Sequence, residues 1–342
     1  MAMTRRERVL ATLGRQVTDR VPAHFDLTTW VARKLAAHYG VGEGAVEDRI
    51  GNHLAKFRPA PRAGFEPEEL GNDLFRDEFG AVWRRGESTV ETGNWGGHFG
   101  WPLEEPAMGT YRYPDPHAPG RLAGLPEFVE ENGEKFVLLF LNGIFDRAWH
   151  VRGFENFMTD LVAHPRFAEE LLESALGFNL GLVEQIGERA GVHGILDVED
   201  WGAQESMLIS PSCWRSLLKP RLAQVFAAAH RKGLAVFVHS CGNITDIVRD
   251  LVEIGVDVLN PLQPEAMDPQ WVKREFGRDL VLWGGIGAQS VIPYGSPEEV
   301  RQGAKRALDT LGAGGGYIYG NAGAVPTETP VENMLALVEA VR

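Results

Sequence analysis

Cysteine is scarce in this sequence, which contains only Cys213 and Cys241 among its 342 residues. Two cysteines exclude a disulfide framework of the kind found in small secreted domains. They suit a reducing cytosol, so we expect a cytoplasmic protein. Long apolar runs are also lacking, and no segment approaches the ~20 residues that a membrane-spanning helix needs. We therefore expect no membrane-spanning segment.

Positively charged residues are also few. The sequence has 34 Lys and Arg residues against 47 Asp and Glu residues, which gives a formal net charge of -13. The basic residues are scattered along the chain, so there is no sign of a basic surface for nucleic acid or for an anionic membrane. A hydrophobic content of 44% allows a large core. These properties favour a protein that acts on small molecules.

The order of elements predicts an α/β fold. Predicted strands alternate with predicted helices from residue 135 onward, and Pro22 excludes a helix in an extended first segment at 20–27. This order favours a (β/α)8 TIM barrel that occupies residues 1–342 as a single domain. A hairpin-like segment at 75–85 and a Gly, Trp and Pro-rich stretch at 93–119 are interpreted as an N-terminal excursion that covers one mouth of the barrel.

The stretch LAVFVHSCGN, residues 234–243, carries the clearest chemical signal. The apolar run predicts a buried strand that ends at His239 and Cys241. Side chains at positions i and i+2 of a strand point to the same face, so the imidazole and the thiol emerge together. Such a pair is half of a zinc site. The alternative is a strand that happens to end in a polar loop with a buried thiol.

Other polar residues also follow predicted strands, where the active sites of such barrels are built. A catalytic zinc site needs a further protein ligand, and Glu199 is the preferred candidate beside His239 and Cys241. Glu199 and Asp197, with His239, are the candidate catalytic residues. The alternative for these carboxylates is helix capping or pairing with arginine. The candidate substrate-binding residues are His24, Asp26, Asn142, Asn260, Gln263 and Asn321.

Five stretches of the sequence carry a resemblance to a known family: TRRERVLATLGRQVTDRVP, MLISPSCWRSLLKPRL, VFVHSCGNITDIVRDLVEIGVDVLNPLQP, LVLWGGIGAQ and GGGYIYGNAGAVPTETPVENMLALVEAV. With these motifs the chain resembles the uroporphyrinogen decarboxylase superfamily, and within it the branch of corrinoid-linked methyltransferases. The resemblance extends from one end of the chain to the other and implies the barrel fold.

The resemblance also implies site chemistry. In the methyltransferases that this chain resembles, a histidine, a cysteine and a later cysteine hold zinc, and His239 and Cys241 match the first two positions. Gly323 stands where such relatives carry the second cysteine. These relatives receive the corrinoid on a separate protein, which implies a corrinoid protein as a partner. The stretch HFDLTTWVARK lacks the arginine pair with which uroporphyrinogen decarboxylases grip their carboxylates.

Three functions therefore stay open. The first is methyl transfer between a small methylated compound and a corrinoid or thiol. The second is cofactor-free decarboxylation of the uroporphyrinogen type, which the net charge of -13 suits poorly unless the local field differs. The third is a non-catalytic barrel that only binds a ligand. A homo-oligomer is compatible with each of them.

Overall fold

The computed structural model describes residues 2–85, 97–187 and 190–342. The described chain has an α/β fold. Its strands are β1 (Leu54–Phe57), β2 (Glu68–Gly71), β3 (Leu74–Arg76), β4 (Val82–Arg84), β5 (His98–Gly100), β6 (Phe136–Asn142), β7 (Gly194–Val198), β8 (Ala235–His239), β9 (Val258–Leu262), β10 (Val281–Gly287) and β11 (Tyr317–Ala322).

Most strands of the larger sheet are followed by helices that cover its outer face. The helices are α1 (Arg5–Leu13), α2 (Thr29–Tyr39), α3 (Val46–Ile50), α4 (Leu125–Glu131), α5 (Ile144–Arg152), α6 (Phe154–Ala163), α7 (Pro165–Glu184), α8 (Pro211–Leu217), α9 (Lys219–Arg231), α10 (Val248–Glu253), α11 (Pro269–Phe276), α12 (Val291–Tyr294), α13 (Pro297–Thr310) and α14 (Val331–Glu339). Along the described ranges, none of them combines the length and the apolar character needed to cross a membrane.

The larger sheet is parallel and seven-stranded, in the order β1-β6-β7-β8-β9-β10-β11. Parallel strands that lie in chain order place all of their carboxyl ends at one edge of the sheet. Six of these strands were predicted from the sequence with small differences in their bounds. Strand β1 was not predicted, because the stretch around it carries no extended apolar run.

The segment 22–27 joins the two edge strands of this sheet. On one side, Tyr319 of β11 donates its N–H to the carbonyl of Pro22, and His24 donates to the carbonyl of Tyr319. On the other side, His53 donates its N–H to the carbonyl of Ala23 at 2.9 Å. The predicted first strand is therefore present as isolated bridges at Ala23 and Leu27 rather than as a regular strand.

Two apolar layers hold the sheet. The inner face carries large side chains from alternate strand positions, which pack together inside the curled sheet: Leu54, Phe136, Leu138, Phe140, Leu196, Phe237, Val258, Val281, Trp283 and Ile318. The intervening positions, such as Leu139, Ile195 and Val236, pack outward against the helices. Because both faces are buried, the strands read as continuous apolar runs without alternation.

Helix caps follow the sequence signals in most cases. Thr4 and Ser296 each form a reciprocal capping box with the glutamate three residues later, and Ser210 accepts from the N–H of Cys213. The order Thr329, Pro330 and Glu332 predicts a capped start of the last helix, and this prediction is wrong. Pro330 precedes the last helix, and the Thr329 hydroxyl is buried without a hydrogen-bond partner among the described residues.

Strands β2 to β5 form a separate antiparallel sheet, in which β3 and β4 are the predicted hairpin. This sheet packs on the helical layer: Trp83 contacts His150 of α5, and Phe79 contacts Phe178 of α7. Residues 93–96 of the predicted excursion lie outside the described residues. A cover over the mouth of the larger sheet stays a prediction.

Candidate active site

A cavity of about 920 Å³ opens at the carboxyl ends of the parallel strands. Its polar lining residues include, from both sides of the mouth, His24, Asp26, Lys56, Arg58, Asp200, His239, Cys241, Asn260 and Gln263, and further charged lining residues are Glu47 and Lys135. This volume is in the range of small-molecule sites. The location is the one at which α/β barrels place their chemistry.

Three potential metal ligands meet on one wall of the cavity. The Cys241 Sγ lies 3.4 Å from the Nε2 of His239, and this Nε2 lies 3.9 Å from the Oδ1 of Asp200. All three ligand atoms lie within 4.8 Å of one another. A thiolate, an imidazole and a carboxylate are three of the ligand types that zinc accepts in proteins.

The surrounding loop holds these groups in place. Asn260 Oδ1 lies 2.6 Å from the Nδ1 of His239, and because a carbonyl oxygen only accepts, Nδ1 carries the proton. The lone pair on Nε2 is therefore free to face Cys241. Gln263 Oε1 accepts from the N–H of Gly242 at 2.9 Å and fixes the turn after β8. Support of this kind is typical of metal-binding histidines.

Asp200 is anchored by its backbone and by its side chain. Its N–H donates to the Oδ1 of Asp146 at 3.2 Å, and its own Oδ1 accepts from the N–H of Cys241 at 2.9 Å. Burial, reinforced by the charge of Asp200, raises the pKa of the Cys241 thiol well above its ordinary value. The thiol is therefore protonated in this arrangement, and a bound cation would reverse that preference.

Asp200, rather than the predicted Glu199, supplies the carboxylate beside His239 and Cys241. The buried Glu199 carboxylate instead accepts from the N–H groups of Phe145 at 3.0 Å and Asp146 at 3.1 Å, at the N-terminus of α5. This is the capping alternative considered for the acidic group. Gly143 makes it possible, because a Cβ at this position would overlap the Glu199 carboxyl group.

The alternation of side chains along a strand explains why Asp200, and not Glu199, lies beside His239 and Cys241. Leu196 and Val198 of β7 line the cavity, and Asp200 continues their side of the chain. Asp197 and Glu199 have the opposite parity and are buried on the outer face, so neither of them lines the cavity. The structure thus places two of the three predicted catalytic residues behind the wall and one of them, His239, on it.

The acidic residues behind the wall form a desolvated cluster. Burial raises the pKa of Asp146 to about 8 and that of Asp197 to about 7. Burial and the two neighbouring aspartates raise the pKa of Glu199 well above its ordinary value. The oxygens of Asp197 have no hydrogen-bond partner among the described residues. Burial is the largest cause of each pKa shift, the charge of Asp200 adds to the shift of Asp146, and none of the three side chains lines the cavity.

The other side of the mouth is built by the segment 22–27 and by β1. Lys56 donates to the Oδ1 of Asp26, and the Nε2 of His24 lies 3.6 Å from the same oxygen. Burial on its own would raise the pKa of Asp26, but Lys56 and His24 hold it well below its ordinary value. Asn321 accepts from the Asp26 N–H and donates to the Asp26 carbonyl, so it fixes the backbone of this segment.

Lys56 and Arg58 are site residues that the sequence reading missed. The Lys56 ammonium lies 5.1 Å from the centroid of the Trp283 ring, and the Arg58 guanidinium lies 3.6 Å from that of Phe140. Trp283 and Phe140 both belong to the inner apolar layer. The sequence pattern that could have indicated them is the spacing of Leu54, Lys56 and Arg58 at every second position. In a strand, this spacing places the three long side chains on one face.

The predicted substrate-binding residues divide into two groups. His24, Asp26, Asn260 and Gln263 line the cavity. Asn321 acts on the backbone of Asp26 from behind, and Asn142 is not among the residues that line the cavity. Their contact with a substrate stays a prediction.

Gly323 lies beside the three ligands. A Cβ at position 323 would be 3.9 Å from the Cys241 Sγ. A side chain at position 323 would therefore reach the candidate metal site, as expected from the resemblance. Glycine leaves this side of the candidate metal site open. Three protein ligands with an open fourth position are typical of catalytic rather than structural zinc sites.

The protein is an α/β protein with a parallel sheet and a polar cavity at the carboxyl ends of its strands, which is where barrels of this class place their active sites. Comparisons with known proteins identify the family. A model of the family Uroporphyrinogen decarboxylase (URO-D) matches residues 122–342, which is well over half of the chain. The chain therefore belongs to the uroporphyrinogen decarboxylase family.

Individual relatives are more distant. Uroporphyrinogen decarboxylases from Coxiella burnetii strains Dugway 5J108-111 and RSA 493 / Nine Mile phase I are each 25% identical over 160 residues, 45% of this chain and 41% of theirs. The match thus spans less than half the length of these curated relatives. A solved methyltransferase from Methanosarcina mazei is 18% identical, with a TM-score of 0.72 over 99% of this chain and 98% of that one. That similarity shows the fold.

Proposed function

We propose that this protein is a cytoplasmic methyltransferase-type enzyme that moves a methyl group between a small methylated compound and a thiol or a corrinoid. The observation that carries the proposal is the convergence of Asp200, His239 and Cys241 within 4.8 Å on one wall of a cavity of about 920 Å³. The family, and the fold shared with a solved methyltransferase, support it. A corrinoid acceptor would be carried by a partner protein.

The donor set fits a zinc ion. The His239 Nε2 faces the other two ligand atoms because Asn260 accepts the proton of Nδ1. Asp200, His239 and Cys241 would hold the ion, which would supply Lewis acidity that lowers the pKa of a bound thiol or polarises the atom bearing the methyl group. The side near Gly323 is open to the reacting compound.

The chain's own residues would bind the substrate and orient the candidate metal ligands. Leu54, Phe140 and Leu196 of the inner apolar layer line part of the cavity and would keep water from the reacting groups. Asp146 and Gln263 fix the loops that carry Asp200 and Cys241. A methyl carrier held against this wall would react with an acceptor whose position is already fixed.

Methyl transfer from a panel of small methylated compounds, with a free thiol or a reduced cobalamin as acceptor, tests this function. His239→Ala and Cys241→Ala should each abolish transfer and remove bound zinc. His230→Ala is a matched control, because His230 pairs with Asp257 on the surface at 3.0 Å. Full methyl transfer by His239→Ala would refute the mechanism.

The family and the cations of β1 favour one second candidate, metal-free decarboxylation. In that reaction the carbon–carboxylate bond breaks, CO2 leaves and the carbon is protonated. CO2 release by chelator-treated protein, unaffected by Cys241→Ala, would establish it in place of methyl transfer. Saturable ligand binding without turnover of any compound would indicate a non-catalytic barrel.

A further inference from the structure

The wall of the cavity that carries Lys56 and Arg58 has no role in the methyl transfer proposed above. We infer that this wall binds a carboxylate of the substrate, so that the compound presented to the metal wall is a small methylated carboxylate. The inference rests on the proposed function for the methyl-bearing end. It adds the substrate class and the residues that select it.

Lys56 is placed to bind an anion from the cavity. Its side chain is 19% exposed and that of its partner Asp26 is 25% exposed, so the pair is reachable from the cavity but largely removed from bulk water. An ammonium group has three donors, and Asp26 accepts one of them. A charge-assisted hydrogen bond to a second carboxylate is strong in such surroundings.

Arg58 extends the same wall. It lies two residues further along the β1 face and also lines the cavity. Burial lowers the pKa of its guanidinium, which shows that its positive charge is poorly hydrated. A guanidinium also presents the planar fork that binds a carboxylate with two hydrogen bonds.

Two buried polar atoms in the cavity wall support a polar occupant. The Nδ1 of His24 and the Nδ2 of Asn260 have no hydrogen-bond partner among the described residues. Both side chains are at least nine-tenths buried, and both residues line the cavity. Leaving such atoms unsatisfied is costly, and the Asn260 Nδ2, which is a donor, would be satisfied by a ligand oxygen in this space.

The positions of the two walls also determine which end of the ligand faces which wall. In the sheet order, β6 and β7 separate β1 from β8, so the cations and the Asp200, His239 and Cys241 wall lie on different sides of the mouth. A compound bound across the mouth would carry its carboxylate at one end and its methyl-bearing atom at the other. The overall charge of -13 does not decide this, because the local field depends on Lys56 and Arg58 together with Asp26.

Isothermal titration calorimetry with methoxyacetate and (methylthio)acetate, each beside its neutral amide, tests the proposal. We expect the wild type to bind each carboxylate at least about tenfold more tightly than the amide. Lys56→Gln should remove this preference, and Lys56→Arg should keep it. Asp26→Asn, which removes the competing carboxylate, should strengthen binding. Lys305→Gln is the matched control, since Lys305 is 76% exposed and pairs with Asp309 on α13.

Equal affinity for carboxylates and amides would overturn the proposal. So would unchanged carboxylate binding in Lys56→Gln, or the absence of saturable binding for both carboxylates. If Lys56→Gln fails to fold, Asp26→Asn still decides, because weaker carboxylate binding in that variant contradicts the inference. All titrations are made with chelator-treated and with zinc-loaded protein. If the protein prefers carboxylates over amides but does not bind zinc, only the proposed function is refuted. If it binds zinc but shows no preference for carboxylates over amides, only this inference is refuted.

Discussion

Substitution of Asp200 tests the assignment of the third ligand most directly. In Asp200→Asn the side-chain oxygen still accepts from the Cys241 N–H, which it does at 2.9 Å in the wild type, so the loop should keep its conformation. The carboxylate charge within 4.8 Å of His239 Nε2 and Cys241 Sγ is lost. Changing a residue that only supports a ligand lowers metal affinity by roughly 10- to 100-fold, so losing a direct ligand should cost about 100-fold or more, about 2.7 kcal/mol.

Glu199→Gln is the matched control for this experiment. The Glu199 carboxyl group is buried and accepts two backbone N–H groups at the start of α5, a role that an amide oxygen can retain. Zinc affinity is measured by competition with a chelator of known strength, and thermal unfolding shows that both variants are folded. We expect zinc affinity to fall in Asp200→Asn and to stay within about threefold in Glu199→Gln. The reverse order of affinities would refute the assignment and restore Glu199 as the ligand.

Two further predictions follow from the hydrogen-bond network. Asn260→Ala should weaken zinc binding by roughly 10- to 100-fold, because the proton on His239 Nδ1 loses its acceptor; unchanged affinity in the same competition assay would contradict this. Burial lowers the pKa of His53 to about 3 from its ordinary 6.5, so the unfolded chain takes up a proton that the folded chain does not as the pH falls below 6.5. The contribution of His53 to the free energy of unfolding should therefore fall by about 2 kcal/mol between pH 7.5 and pH 5, while Asp146 and Asp197, whose pKa values are raised, contribute in the opposite direction. Urea titrations of the wild type and of His53→Gln at the two pH values isolate the His53 part as the difference between the two proteins.

The sequence predicted the fold well where local signals are strong. The apolar runs around Val137 and Val236 and the capping boxes at Thr4 and Ser296 define strands and helices directly. From the sequence, residues 146–158 are predicted to form one helix, but the structure has two, because Gly153 adopts a φ of 85° between them. A glycine is a local signal for a helix end, and the prediction did not use it.

The candidate site was predicted only in part, for a physical reason. The pair His239 and Cys241 was found because two reactive residues share one strand face. On β7, apolar residues occupy both faces, so the sequence does not show which parity points inward. Glu199 was therefore preferred over Asp200, although they point in opposite directions. Lys56 was missed because it lies on a short strand that the sequence did not reveal.

The closure of the larger sheet at the segment 22–27 has a consequence for how the chain folds. Asp26 and Asn321, which hold this junction, are 295 residues apart in the sequence. During synthesis the junction cannot form until residue 321 has emerged, so the last strand of the growing sheet is an open edge until then. Such a long-range contact is slow to form because the intervening loop must first be closed. The incomplete sheet is thus exposed to edge-to-edge aggregation until this junction closes.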